Sequence, residues 1–83
     1  MKSGMKGVEF SMDKHNRIPR NWSRIIAMSL IRTNAGIPGD VFDIKRDEYG
    51  SGLIETNRRT GETFQGFIAH LRDGNHFEII EIA

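Results

Sequence analysis

The sequence predicts an α+β domain in which one N-terminal helix packs on a curved, mostly antiparallel, barrel-like sheet of four to five strands. Three observations favour this class. An apolar stretch at residues 21–34 has helical spacing and end signals. Short runs rich in aromatic and β-branched residues follow residue 40, separated by turn signals. The longest run changes its apolar parity at Gly66, where a glycine permits a bulge or bend.

Length and composition indicate one small domain. Of the 83 residues, we expect 1–12 to be a flexible N-terminal segment and 13–83 to form a single α+β domain. The sequence has no cysteine, which excludes disulfides and thiolate metal sites. It has no apolar run of about 20 residues and no apolar signal-peptide core, so we expect a cytoplasmic protein without a membrane partner.

The helix is predicted from its ends and its apolar stripe. Asn21 is a suitable N-cap, Gly36 a suitable C-terminal cap, and Pro38 prevents the helix from resuming. The stripe contains Trp22, Ile25, Ile26, Ser29, Leu30 and Thr33. A buried strand over residues 25–31 is the alternative, because short apolar runs fit both structures; length and caps favour the helix.

Four strands are predicted after the helix. Residues 41–46 and 53–57 are the first two, and residues 8–10 would supply a fifth, at an edge. Residues 58–61 form a turn into a long strand that bends at Gly66, and the cluster at residues 73–75 turns the chain into the last strand, which is apolar on both faces. The predicted core is Trp22, Ile26, Leu30, Phe42, Ile44, Leu53, Phe64, Phe67, Leu71, Phe77 and Ile79.

The basic residues are unevenly distributed and predict a nucleic-acid-binding regulator. Residues 1–34 carry seven basic and two acidic residues, and residues 35–83 carry five basic and nine acidic residues, for a net charge of only +1. Arginine at a hairpin tip or helix start can bind phosphate in bidentate geometry. The candidate nucleic-acid-binding residues are Arg58, Arg59, Arg20, Arg24, Arg17 and Lys14. Solvated surface arginines are the competing interpretation.

The alternative function is a protein-binding or inhibitory module that acts as a homodimer. Its contact would be the doubly apolar last strand or the wide apolar helix. An enzyme is not expected, because the sequence contains no nucleophile motif, and Glu55 and Glu62 would be solvated carboxylates facing each other across the turn. His70 and His76 flank the turn at residue 73 and can approach each other, but their spacing matches no metal signature. We therefore expect no metal and no cofactor.

Residues 60–68, TGETFQGFI, resemble the second-strand pattern of Sm-like RNA-binding barrels. In that family a helix comes first and a glycine lets a long strand bend sharply, so the resemblance implies a bent strand in a barrel-like sheet. The sequence departs from the family at Arg72, near which an acidic residue is expected. Residues 36–41 are similar to the turn of swapped-hairpin transcription regulators, although the predicted helix before them is longer than in that family.

Overall fold

The part of the chain that the structure describes forms one open antiparallel sheet with one short helix. The computed structural model describes residues 18–48 and 52–83. The elements are β1 (Arg24–Ser29), β2 (Val41–Arg46), β3 (Leu53–Asn57), β4 (Thr63–Gly66), α1 (Ile68–Arg72) and β5 (Phe77–Ile82). The order of the described strands is β4-β3-β2-β1-β5, so β4 and β5 are the opposite edges among them and these five strands do not close into a barrel.

The predicted N-terminal helix is wrong, because β1 occupies its centre. Ile25, Ala27 and Ser29 are buried while Ile26 and Met28 are half-buried, which is the two-residue period of a strand. Neighbours complete the explanation: β1 pairs with β2 on one side and β5 on the other, so its backbone groups are satisfied from both directions. The strand considered as the alternative is the correct interpretation, although it ends at Ser29.

The predicted long bent strand is also wrong. β4 ends at Gly66, and residues 68–72 form α1. Because β4 and β5 lie at opposite edges, the segment that contains α1 must cross one face of the sheet, here called the inner face. Leu71 is the buried residue of α1 and joins the core on that face. The helix that covers the sheet therefore lies between β4 and β5 instead of preceding β1.

Three predicted strands are confirmed. β2 and β3 have the predicted bounds, and β5 is the last strand. β5 appears apolar on both faces in sequence because it contains a bulge: Ile26 pairs with Glu81, whereas the next residue, Ala27, pairs with Ile79. Ile80 is the additional residue and is 45% exposed. The additional residue shifts the inward-facing positions by one, so Ile79 before the bulge and Ile82 after it both pack against the core.

The core confirms the predicted list in part. The buried members are Trp22, Phe42, Ile44, Leu53, Leu71, Phe77 and Ile79. Ile26 and Phe64 are half-buried, whereas Leu30 (38% exposed) and Phe67 (61% exposed) were wrongly predicted. Ile18, Ile25 and Ala27 complete the core. The errors at Ile26 and Leu30 follow from the helical stripe, since a strand directs Ile25 and Ala27 inward and Ile26 outward. The error at Phe67 follows from the predicted long strand, because β4 ends at Gly66. The predicted segment 1–12 and edge strand 8–10 lie outside the described residues.

Candidate functional site

Two predicted arginines share one carboxylate on the outer face of the sheet. The outer face is the one opposite the inner face, so its residues alternate along each strand with the buried ones. Arg58 donates to Asp43 through Nε (2.8 Å) and Nη2 (2.9 Å), and Arg24 Nη2 donates at 2.7 Å. The hydrogen bonds from Arg58, and then from Arg24, hold the pKa of Asp43 well below its usual range. Half of each arginine side chain remains exposed, 46% for Arg58 and 51% for Arg24.

Arg59 is exposed, but it pairs with a buried polar network. It donates to Asp40 through Nε (2.7 Å) and Nη2 (2.9 Å). Asp40 is 6% exposed and also accepts hydrogen bonds from Asn57 Nδ2 and from the amide of Ile37. The hydrogen bonds, chiefly that from Arg59, hold the pKa of Asp40 well below its usual range. Arg59 therefore anchors the 58–62 turn to the loop before β2.

Of the remaining predicted basic residues, the structure describes only Arg20, which lies in the segment before β1. Arg20 is exposed, and its carbonyl accepts a hydrogen bond from the guanidinium of Arg46, which also lies 4.9 Å from the centre of the Trp22 ring. Arg17 and Lys14 lie outside the described residues. The four described members of the predicted nucleic-acid-binding set are therefore in three places. Arg24 and Arg58 pair with Asp43, Arg59 pairs with Asp40, and Arg20 lies in the segment before β1.

A cleft of about 420 Å³ lies between the 30–40 loop and residues 64–70. β1 ends and β5 begins at this end of the sheet, because Ser29 pairs with Phe77 and the amide of Leu30 bonds to the carbonyl of His76. The cleft walls are rich in aromatic rings and contain no lysine or arginine among the residues described. The rings belong to Phe42, Phe64, Phe67, His70, His76 and Phe77.

Glu55 supplies the carboxyl group of the cleft. It shares the inner face with Leu53 and Asn57 and is only 6% exposed. Its carboxyl lies so close to Gly66 that a Cβ there would be 2.0 Å from Oε2. Burial raises the pKa of Glu55, and the nearby His76 offsets part of that rise. Within residues 18–48 and 52–83, no side-chain hydrogen bond or ion pair reaches this carboxyl.

The two histidines stack at the cleft wall. The ring centroids of His70 and His76 are 4.1 Å apart with an interplanar angle of 14°, and Phe67 meets His70 edge-on at 5.8 Å. The carboxylate of Asp73 holds the His76 ring through the ring nitrogen Nδ1. It also accepts hydrogen bonds from the backbone amides of Asn75 and His76. Desolvation alone would raise the pKa of Asp73, but these hydrogen bonds outweigh it and the pKa is lowered.

The predicted approach of the histidines is confirmed, but α1 and the following turn bring them together. No group of three or more His, Cys, Asp or Glu side chains is arranged to hold a metal ion in the described part of the chain.

Sequence reasoning missed Glu55 as a site residue. It was expected to face Glu62 in solvent, whereas Glu55 pairs with Phe64 and Glu62 is exposed. The signal in the sequence is spacing: Glu55 is two residues from the predicted core residue Leu53, so the two side chains lie on the same face of a strand. The charge of Glu55 argues against that face, because charged strand residues usually face water.

Comparison with known proteins identifies no relative of this chain. No family model, no curated protein and no solved structure matches the chain. In residues 18–48 and 52–83, the structure contains no helix with the length and apolarity needed to cross a membrane.

Proposed function

We propose that this protein is a small non-enzymatic binding protein whose ligand occupies the cleft and contacts Glu55. The observation that carries the proposal is the carboxyl of a residue that is only 6% exposed, which has no ion-pair partner among the described residues and lines a cavity of about 420 Å³. An unpaired buried carboxylate opposes folding, so its presence in a cleft is typical of a functional group. Ligand sites commonly have volumes of roughly 300–1,000 Å³ with apolar walls and few polar groups.

The cleft walls support binding rather than chemistry. Ser29 contributes a hydroxyl group to the cleft. This hydroxyl donates to the carbonyl of Ile31 at 2.7 Å, and the residue is only 5% exposed, so the group is already engaged. Phe42 and Phe77 meet edge-on at 5.5 Å, which gives the cleft a packed aromatic base. Such a base orients a ligand without supplying a reacting group.

Fragment screening by NMR tests this function. Aromatic, cationic, neutral and anionic fragments would be added to the labelled protein, and binding would shift the amides of residues 64–70 and 76–77. Ala35→Phe places a ring in the cleft and should abolish the shifts. Thr63→Phe adds the same ring at an exposed position outside the cleft and should preserve them. Shifts confined to the outer face, or their persistence in Ala35→Phe, would contradict the proposal.

Nucleic-acid binding is a second candidate, favoured by the cations of the outer face. Arg24 and Arg58 are half exposed, and Lys45 lies opposite Arg24 in the β1–β2 register. Asp43, Glu78 and Glu81 lie near them and reduce the positive charge. A salt titration of single-stranded oligonucleotide binding tests this candidate, since phosphate contacts weaken steeply with salt. Arg58→Gln should reduce the slope of oligonucleotide affinity against salt concentration. An affinity that changes neither with salt nor in this variant would rule out nucleic-acid binding.

The homodimer alternative receives less support from the geometry. The apolar helix proposed for docking is replaced by β1, an internal strand. The edge strand β5 carries Glu78 and Glu81 around the exposed Ile80, and charges with a bulge oppose edge-to-edge pairing. For location we propose the cytoplasm, which agrees with the absence of cysteine.

A further inference from the structure

Building on the proposed cleft function, we infer that the ligand is an organic ammonium ion whose charged nitrogen pairs with Glu55 and whose alkyl groups contact the aromatic walls. Glu55 is the acidic residue of the cleft, and no lysine or arginine accompanies it among the described lining residues. Apart from the two histidines, which are charged only when protonated, the described lining offers Glu55 no cation, so a cationic ligand would supply a permanent counter-charge. An anionic ligand would meet a carboxylate that no lysine or arginine of the described lining compensates.

Burial makes the carboxylate an effective anchor. Glu55 is 6% exposed, so its charge is poorly screened and its attraction for a cation is stronger than at a surface. A bound cation also removes the cost of holding an unpaired carboxylate away from water. Gly66 leaves room for this position, because a Cβ there would lie 2.0 Å from Glu55 Oε2 and would displace the carboxyl.

The aromatic walls favour a substituted ammonium ion over a metal ion. Phenylalanine faces attract cations within about 6 Å, and alkylated nitrogen combines positive charge with apolar surface. Phe64 is half-buried at the cleft and Phe67 is 61% exposed, so both rings are accessible to a ligand. Hard metal ions instead require several oxygen ligands, and the described residues offer no cluster of three metal-binding side chains.

A matched set of three small molecules tests the inference. Choline carries a trimethylammonium group, 3,3-dimethylbutan-1-ol replaces the nitrogen with carbon and is neutral, and 3,3-dimethylbutanoate is an anion of similar shape. Each would be titrated by NMR against the full chain at pH 8. We expect choline to shift the cleft amides and to bind at least about tenfold more tightly than the alcohol, with the anion weakest, consistent with the strength of a desolvated ion pair.

Two variants connect the preference to Glu55. Glu55→Gln keeps the side-chain shape and should lower choline affinity about tenfold or more, bringing it to that of the alcohol. Glu62→Gln removes an exposed carboxylate from the neighbouring turn and should leave affinity unchanged. The amide spectrum of each variant verifies folding.

The outcomes separate the two proposals. Equal binding of choline and the alcohol, or unchanged choline affinity in Glu55→Gln, would overturn the ammonium inference while the cleft remains a binding site. If none of the three molecules, nor any fragment of the screen, shifts the cleft amides, the binding function falls as well.

Discussion

Asn57 uses both ends of its side-chain amide to join separate parts of the chain. Nδ2 donates to the carbonyl of Ala35 and to Asp40 Oδ2, each at 3.0 Å. Oδ1 accepts the amides of Arg59 (2.8 Å) and Thr60 (3.3 Å). The side chain is fully buried. Gly36 lies close beside it, because a Cβ at that position would be 2.7 Å from Nδ2.

Removing this amide should be costly. We expect Asn57→Ala to lower the free energy of unfolding by about 3 kcal/mol, because several buried polar groups lose a partner together. Chemical denaturation measures the change. Asn75→Ala, at an exposed turn position, is the control and should stay within about 0.5 kcal/mol of the parent. A loss below about 1 kcal/mol for Asn57→Ala would mean that water replaces the amide.

The contact between Glu55 and Gly66 predicts strong energetic coupling. Gly66→Ala should destabilise the protein by about 2 kcal/mol, because the new methyl group must displace the Glu55 carboxyl. In a Glu55→Ala background that obstacle is absent, and the same substitution should cost at least about 1 kcal/mol less. Denaturation of the two single variants and the double variant gives the coupling energy. Additive effects would show that a neighbour other than the Glu55 carboxyl opposes the methyl group.

At the scale of an element, β1 shows how pairing decides between two structures that the local sequence fits. Its sequence, RIIAMS, has adjacent isoleucines whose branched side chains suit a strand. The same stretch carries apolar residues at helical spacing, so periodicity alone does not choose between the two structures. Hydrogen bonding to β2 and β5 on its two sides satisfies the backbone of the strand and selects it.

α1 depends on packing, because five residues are too few for a stable isolated helix. Its residue Leu71 is fully buried in the core. Leu71→Ala should lower the free energy of unfolding by about 3 kcal/mol and should accelerate amide exchange in residues 68–76. Arg72→Ala, exposed in the same helix, is the control and should change stability little. Unchanged exchange in Leu71→Ala would show that other contacts hold the crossing segment in place.

The whole molecule should respond to acid in two opposite ways. Asp40 and Asp43 have pKa values below their ordinary 3.8, so their pairs stabilise the fold above that pH and lose this effect as pH falls further. Glu55 has a pKa above its ordinary 4.5, so the folded state binds its proton more tightly than the unfolded state. Protonation of Glu55 therefore increases stability as pH falls from neutral toward 4.5.

We expect the free energy of unfolding to rise from pH 7 to mildly acidic pH and to fall below about pH 4. Denaturation curves across this range measure the profile. Glu55→Gln should be more stable than the parent at pH 7, by about 1 kcal/mol, and should lack the initial rise, since it carries no charge to bury. Asp43→Asn should reduce the loss at low pH. A rise that persists in Glu55→Gln would assign it to another group.

The local features of this chain could be predicted from sequence. The strands β2, β3 and β5 were predicted, because alternation and turn residues define them, and Gly61 takes a positive φ of 78° in the predicted 58–61 turn. The sequence also indicates the two arginines of the 58–61 turn as candidate binding residues. Their carboxylate partners were not predicted, because Asp40 and Asp43 approach them only through the register of β2 with β3.

The sequence by itself determined a small domain with strands after residue 40 and the turns between them, since these depend on neighbours within a few residues. Only the tertiary structure decided that residues 24–29 form a strand, that residues 68–72 form a helix crossing the inner face, and that Glu55 enters the cleft. Each of these depends on which distant segment satisfies the backbone or covers an apolar surface, and periodicity in one stretch carries no record of that partner.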